Sequence, residues 1–259
     1  MARKTLVNSF ILVLLLLVPC IAAFNVTTLS FNDAYAPLFG FNNIVRSADD
    51  RSVRLVLDRS YGSGFISSDM YLHGFFSASI KLPSDYTAGI VVAFYTSNGD
   101  VFEKTHDELD FEFLGNIRGK EWRVQTNMYG NGSTSRGREE RYLLPFDPTA
   151  DFHLYSILWT AQNIIFYIDD IPIREVRRSE VAGGDYPSKP MSLYATIWDA
   201  SNWATAAAAT RSTTSTAPSS PNSPTSPSSA AASTLSRRRR RLPGTALPPT
   251  RSSRPPAWP

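Results

Sequence analysis

One short stretch, residues 106–115, constrains the fold of this chain more than any other. It reads His-Asp-Glu-Leu-Asp-Phe-Glu-Phe-Leu-Gly. Side chains of a β-strand alternate between its two faces, so a strand here places Leu109, Phe111 and Phe113 on one face. The opposite face is polar and carries His106, Glu108, Asp110 and Glu112. The apolar face is typical of a protein core, and we therefore predict a strand that is covered on one side.

The polar face carries three carboxylates, and carboxylates in a row repel one another unless they have a function or a compensating partner. Retaining glycoside hydrolysis needs a nucleophile and a general acid about 5 Å apart. In an extended strand the Cα atoms of Glu108 and Glu112 are about 13 Å apart, and leaning side chains, curvature or a bulge can close that gap. Asp110 then lies between them and can share a proton with a neighbour. The alternative is a solvated acidic face, although exposed faces usually mix both signs of charge.

Residues 24–203 contain a series of short strand signals separated by turns. Apolar and polar residues alternate over 53–57 and 76–82, whereas 89–95 is a continuous apolar run typical of a central strand. Further strands are predicted at 122–127, 155–159, 164–168 and 191–198. No segment shows sustained helical periodicity. We predict an all-β chain with the fold of a concanavalin-like jelly-roll sandwich of two antiparallel sheets.

The first residues resemble a secretory signal peptide, with Arg3 and Lys4 before an apolar run at 10–18 and small residues near position 22. The apolar run is too short for a membrane span, which needs about 20 residues. We predict a signal peptide at 1–22, secretion, and no membrane contact after its removal. Cys20, the one cysteine, would be lost with it. Asn25 and Asn131 begin Asn-X-Thr/Ser sequons and are predicted glycosylation sites.

The composition changes abruptly after residue 205. Residues 206–259 contain no acid, Lys, Phe, Tyr, Ile or Val, and 8 of the 26 basic residues lie there, whereas all 23 acidic residues precede them. We predict that this Ala/Ser/Pro/Arg-rich tail is disordered, because it lacks the side chains that build a core. The run 237–241 consists of five arginines and allows a nucleic-acid-binding alternative. A secreted chain rarely meets nucleic acid, so we expect no such partner.

The acidic strand and several further segments resemble the plant xyloglucan endotransglucosylase/hydrolases of glycoside hydrolase family 16. The other segments are Gln125-Thr126-Asn127, Gly137-Arg138-Glu139-Glu140-Arg141, Phe146-Asp147-Pro148 and Trp198-Asp199-Ala200-Ser201-Asn202-Trp203. The resemblance covers about residues 23–205. The segments at 129–133 and 172–176 are most similar to the later-diverging group of that family.

The resemblance implies a role for each carboxylate. Glu108 would be the nucleophile, Asp110 its helper, and Glu112 the general acid and then the base. Substrate-binding positions of the family match Gln125, Thr126, Asn127, Arg138, Glu139, Asn202 and Trp203. Structural alternatives stay open, because Asn127 could satisfy strand ends, Arg138 and Glu139 could pair with each other, and Trp203 could lie in the core. The resemblance implies no cofactor and no metal, a monomer, and xyloglucan donor and acceptor chains as partners.

The resemblance ends at about residue 205. The family continues with further strands and a Cys-containing extension, and in this chain the tail stands in their place, so we expect a sandwich that is incomplete at its C-terminal end. The predicted function is a cell-wall (apoplastic) enzyme that cleaves and religates the β-1,4-glucan backbone of xyloglucan. Two alternatives remain, an inactive or misfolded product with at most glucan-binding ability, and an enzyme acting on another β-glucan.

Overall fold

The computed structural model describes residues 27–84, 86–117, 120–179, 185–201 and the backbone of 228–238. Within these residues the chain forms one short helix, α1 (Phe31–Ala34), one 3-10 turn (Phe41–Asn43) and fifteen strands. The strands are β1 (Thr27–Thr28), β2 (Tyr35–Phe39), β3 (Ile44–Arg46), β4 (Ser52–Leu57), β5 (Ser63–Ser67), β6 (Gly74–Lys81), β7 (Ile90–Ser97), β8 (Glu108–Leu114), β9 (Arg123–Tyr129), β10 (Glu140–Leu143), β11 (His153–Trp159), β12 (Asn163–Ile168), β13 (Ile171–Arg177), β14 (Ser192–Asp199) and β15 (Ser228–Arg238).

The strands form two antiparallel sheets. Sheet A has the order β13-β12-β11-β6-β15-β4-β3, with β1 also paired to β15, and sheet B has the order β10-β9-β8-β7-β14-β5-β2. The prediction of an all-β sandwich is confirmed. Each predicted strand corresponds to an observed one, namely β4, β6, β7, β8, β9, β11, β12 and β14.

The apolar face of β8 lies in the core between the two sheets. Leu109, Phe111 and Phe113 have no exposed surface. The ring of Phe111 meets Phe166 of sheet A edge-on at 5.3 Å, and the ring of Phe113 meets Tyr155 at 4.6 Å. Each such side chain stabilises the fold by about 1.5–3 kcal/mol through burial. A slip of one residue would expose all three and bury the acids in the core, so the packing fixes the register of β8.

The structure differs from the prediction for part of the tail. Residues 228–238 form β15, which lies between β4 and β6 and pairs with both. The segment follows Pro227 and contains no proline before Pro243, so every residue of β15 can donate its backbone N–H to a neighbouring strand. Backbone pairing with two neighbouring strands leaves no signature in the composition of a segment, and composition alone therefore predicted disorder here. The rest of the tail, 206–227 and 239–259, lies outside the described residues.

The predicted signal peptide at 1–22 also lies outside the described residues. Among the residues that the structure does describe, no helix has the length and apolar character needed to cross a membrane.

Candidate active site

The three carboxylates of β8 lie on the face of sheet B that points away from the core. Strand pairing places each one between two partners, one on β7 and one on β9. Glu108 lies between Ser97 and Tyr129, Asp110 between Tyr95 and Asn127, and Glu112 between Ala93 and Gln125. His106 precedes the strand, is half-buried, and contacts the ring of Tyr129 edge-on at 5.7 Å. The predicted row of acids therefore lies between three residues of β7 and three residues of β9.

Burial gives these carboxyl groups unusual acidities. Glu108 is 4% exposed and Asp110 is 6% exposed. Loss of solvation raises the pKa of Glu108 to about 7, and the charge of Glu112 adds to that rise. Loss of solvation also raises the pKa of Glu112 to about 7. The pKa of Asp110 lies well above its usual range, first because of burial and then because of the charges of Glu108 and Glu112.

Hydrogen bonds distinguish the three carboxyl groups. Glu108 accepts from the hydroxyl of Ser97 and from the carboxyl group of Asp110, and both bonds hold its pKa below what burial alone would give. The same bond to Glu108 raises the pKa of Asp110. These bonds therefore favour the ionised form of Glu108, whereas the bond to Glu108 favours the protonated form of Asp110.

Glu112 has a different set of partners. The Nε2 amide of Gln125 donates to its Oε2 at 2.5 Å, and Oε1 of Gln125 accepts from Nε of Arg141 at 2.5 Å. The bond from Gln125 lowers the pKa of Glu112, whereas the charge of Glu139 raises it. Glu112 is also less buried than the other two carboxyl groups. It is therefore the carboxyl group best placed to exchange a proton with a molecule bound at the surface.

Two tyrosines line the same face beside the acids. The rings of Tyr95 on β7 and Tyr194 on β14 stack at 4.8 Å with an angle of 7° between their planes. They belong to a small apolar cluster with Ala93, Leu38 and Ile66. Aromatic and apolar surface next to hydrogen-bonding groups suits a sugar ring, which has apolar C–H faces and polar edges.

The described residues contain no group of three His, Cys, Asp or Glu side chains arranged to hold a metal ion.

Comparison with protein families gives a match to "Glycosyl hydrolases family 16" over residues 31–215. The chain belongs to glycosyl hydrolases family 16. The prediction made from the acidic strand and its surroundings is confirmed at this level.

Curated relatives of this family 16 chain include proteins of Arabidopsis thaliana. It is 68% identical over 207 residues to "Probable xyloglucan endotransglucosylase/hydrolase protein 30", which covers 80% of this chain and 60% of the relative. It is 70% identical over 182 residues to "Probable xyloglucan endotransglucosylase/hydrolase protein 29", covering 70% of this chain and 51% of the relative. The chain thus spans about half to three fifths of the length of these relatives.

Solved structures support the fold. The Bacillus licheniformis β-glucanase has a TM-score of 0.63 at 20% identity and covers 84% of this chain and 100% of its own. A β-1,3-1,4-glucanase (lichenase) from a mouse hindgut metagenome has a TM-score of 0.61 at 20% identity and covers 83% of this chain and 99% of its own. At this identity the likeness is one of fold.

The predicted substrate-binding residues of β9 separate onto two faces of the strand. Gln125 and Asn127 lie on the face of the carboxylates, directly opposite Glu112 and Asp110. Thr126 lies on the other face and has no exposed surface. Its hydroxyl and its carbonyl oxygen accept from Nη1 of Arg174 on β13, at 2.9 and 3.0 Å. The structure thus does not bring Thr126 to the site, because alternation of side chains places it between the sheets.

Arg138 and Glu139 lie in the loop before β10 and have separate partners. The guanidinium group of Arg138 pairs with Asp185 and donates to Oγ of Ser133 at 3.0 Å. Glu139 lies 3.5 Å from Nη2 of Arg141, and its charge raises the pKa values of both Asp110 and Glu112. The two residues do not pair with each other, and Glu139 is the one close to the acids. Asn202 and Trp203 lie outside the described residues.

Asn131, a predicted glycosylation site, is exposed in the loop that follows β9 and has a positive φ of 53°. The neighbouring Gly130 fits closely against the backbone of Asp185, since an added Cβ would lie 2.2 Å from its carbonyl carbon. Asn25 lies outside the described residues.

Sequence reasoning missed several residues that support the site. Asp107 has no exposed surface and accepts from the backbone N–H groups of Asn131, Ser188 and Lys189 and from Nζ of Lys189. Its own N–H donates to Oδ1 of Asn98 at 2.7 Å. Ser97 and Arg141 were missed as well. The alternation rule could have identified Ser97 once the pairing of β7 with β8 was assumed, but the partners of Asp107 lie far away in sequence and gave no signal.

Proposed function

We propose that this chain is a secreted xyloglucan endotransglucosylase/hydrolase, which cleaves the β-1,4-glucan backbone of xyloglucan in the plant cell wall and rejoins the ends. The observation that carries the proposal is the row of three carboxyl groups on the outer face of β8, in which Glu108 and Asp110 are buried, Glu112 is half-buried, and Asp110 lies between the other two. Four relatives named probable xyloglucan endotransglucosylase/hydrolases, 67–70% identical to this chain, support the choice of substrate. Residues 1–22 would direct secretion and be removed, and the enzyme would act as a monomer in the apoplast.

The first step would form a covalent glycosyl-enzyme. An ionised oxygen of Glu108 attacks the anomeric carbon of a backbone glucose while the bond from that carbon to the leaving oxygen breaks. Glu112 gives its proton to the leaving oxygen, and the reducing-end part of the chain departs as an alcohol. Asp110 donates a hydrogen bond to Glu108 before the attack. This bond can adjust as Glu108 loses its charge in the ester.

The second step would release the glycosyl group. Glu112, now ionised, takes the proton from the 4-hydroxyl of another glucan chain, whose oxygen attacks the anomeric carbon and displaces Glu108. Water in place of the glucan gives hydrolysis. The amide of Gln125 stabilises the ionised form of Glu112 that this step requires.

The proton distribution supports this division of labour. Glu108 has two donors to its carboxylate and suits the ionised role, whereas Glu112 lies nearer the surface with a pKa of about 7 and suits both donation and acceptance of a proton.

The test is incubation of the secreted full chain with xyloglucan and a fluorescently labelled xyloglucan oligosaccharide. Transfer of label into polymer, abolished in Glu108→Ala and lowered about 10²- to 10⁴-fold in Glu112→Gln, is expected. The variant Lys81→Ala serves as the control and should retain activity, because Lys81 lies on β6 of sheet A and its Nζ donates to the carbonyl oxygen of Ala150.

Other outcomes decide between the alternatives. Binding to xyloglucan without transfer or loss of viscosity contradicts the proposal and favours a glucan-binding protein. Turnover of a different β-glucan in a substrate panel, with none of xyloglucan, keeps the enzyme and rejects the substrate.

A further inference from the structure

Arg141 lies one strand away from the acid row and is joined to it through a single side chain. It is directly opposite Gln125 in the pairing of β10 with β9, and Gln125 is directly opposite Glu112 in the pairing of β9 with β8. Nε of Arg141 donates to Oε1 of Gln125 at 2.5 Å, and Nε2 of Gln125 donates to Oε2 of Glu112 at 2.5 Å. The three side chains form one continuous chain of hydrogen bonds across three strands.

The direction of this chain follows from the chemistry of arginine. A side-chain amide can present either its oxygen or its NH₂ group to a neighbour, so Gln125 alone could accept from a protonated Glu112 or donate to an ionised one. A guanidinium group only donates. While Arg141 holds the amide oxygen, the NH₂ group is turned towards Glu112 and can only donate to it. Gln125 has no exposed surface, so water does not compete for either end of the amide.

We propose that Arg141 is a positioning residue that locks the amide of Gln125 in the orientation that donates to Glu112. The locked amide favours the ionised form of Glu112, which acts as the base in the second step, and offers no acceptor to the protonated form. A freely turning amide would serve both forms and would favour neither. This inference rests on the proposed role of Glu112 as acid and base.

The charges around Glu112 show why a fixed orientation of the Gln125 amide matters. The groups that act on it or respond to it come from four directions: Glu108 and Asp110 on β8, Tyr129 on β9, Glu139 before β10, and Arg141 on β10. Arg141 is the one cation among these groups, so the surroundings otherwise favour the protonated form. Arg141 opposes this preference in two ways. It orients Gln125 to donate a hydrogen bond to Glu112, and its positive charge favours the ionised form of Glu112.

The first test is a titration of Glu112 by carbon-13 NMR with labelled glutamate, in the full chain and in Arg141→Met. The side chain of Arg141 is 50% exposed, so the variant is expected to fold, and circular dichroism checks this. Loss of the lock and of the positive charge should raise the pKa of Glu112 by roughly one unit, the size expected for one charge-assisted hydrogen bond. The basic limb of the pH profile of transfer should move to higher pH by the same amount.

A double-mutant cycle separates the lock from the charge. In a Gln125→Met background the amide is absent, so Arg141→Met should raise the pKa of Glu112 by less than half as much as in the native background. Equal shifts in the two backgrounds would overturn the proposal, because Arg141 would then act through charge alone. Absence of any shift would overturn it too.

Arg177→Met is the matched control. Arg177 also pairs with a glutamate two residues before it, Glu175, with Nε and Oε1 3.0 Å apart, but on β13 of sheet A. Its removal should leave the pKa of Glu112 unchanged. The titration needs no turnover, so a chain that shows no transfer and no hydrolysis would contradict the proposed function and still report on the lock.

Discussion

Asp107 and Lys189 form a buried ion pair in which Oδ1 and Nζ are 2.8 Å apart. The carboxyl group also accepts three backbone N–H groups from the loops after β9 and before β14. Asp107 immediately precedes Glu108, so these bonds tie two loops to the end of β8 that carries the proposed nucleophile. Four donors compensate for the burial of the Asp107 carboxyl group. For Glu108 and Asp110, in contrast, burial raises the pKa.

Replacement of Asp107 by alanine should therefore destabilise the whole domain. Four donors lose their acceptor, and breaking one partner of a buried ion pair costs about 3–5 kcal/mol. Lys189 keeps some solvent contact, with 24% of its side chain exposed, so a loss of about 3 kcal/mol is expected. Urea unfolding followed by tryptophan fluorescence measures it.

Asp49→Ala is the control for that prediction. Asp49 is an exposed aspartate whose carboxyl group is hydrogen-bonded to Ser47 and to the N–H of Arg51, and its loss should cost no more than about 1 kcal/mol. Equal unfolding free energies for the two variants would show that the Asp107 network contributes nothing special.

The raised pKa of Glu108 predicts how stability depends on pH. Folding raises this pKa from the ordinary value of 4.5 to about 7, so the folded state binds a proton more tightly than the unfolded one. That contribution to stability is complete below pH 4.5 and is lost as the pH rises through 7. Glu108→Gln removes the titration, so the variant should lose less stability than the native chain between pH 4.5 and pH 8, by on the order of 2–3 kcal/mol.

Urea unfolding at both pH values measures this difference. Glu121→Gln, at an exposed position, is the matched control and should follow the native chain. Parallel loss of stability in the native chain and in Glu108→Gln would contradict the buried, proton-retaining environment described for β8.

Much of the fold and the centre of the site could be predicted because β8 carries a strict alternation. Three apolar residues with no exposed surface alternate with three acids, and only one orientation satisfies both sets. Strands at sheet edges gave weaker signals. β10 reads Glu-Arg-Tyr-Leu, and β13 contains Pro172 and three charged residues. Such sequences are tolerated at a sheet edge, but neither has the apolar alternation that predicts a strand.

The rest of the site depends on contacts between distant parts of the chain. Lys189 lies 82 residues after Asp107, and no local pattern connects them. Thr126 shows the opposite case, since the resemblance groups it with Gln125 and Asn127 although adjacent residues of a strand face opposite sides. The alternation rule, applied to β9 as it was to β8, would have placed Thr126 in the interior.

Thr126 and Asn127 should respond differently to substitution. Thr126→Val keeps the shape but removes the hydroxyl that accepts from Arg174, so the variant should lose about 2 kcal/mol of stability with an unchanged KM. Asn127→Ala removes a polar group opposite Asp110 and should lower kcat/KM about tenfold or more, the effect of one hydrogen bond lost in the transition state. Steady-state transfer kinetics beside urea unfolding separate the two effects, and a raised KM in Thr126→Val at native stability would restore its predicted contact with substrate.

The position of β15 gives a test of how sheet A is completed. Ala231 pairs with Arg54 of β4 on one side and with Lys81 of β6 on the other. Proline there removes a backbone N–H inside a sheet and should destabilise the domain by about 3 kcal/mol or more. Ala231→Ser keeps the N–H, matches the serines at 228, 229 and 233, and should change stability by no more than about 0.5 kcal/mol. Thermal unfolding of the two variants beside the native chain measures the difference. A proline variant as stable as the serine variant would mean that residues 228–238 do not pair between β4 and β6, and that the original prediction of disorder holds for the whole tail.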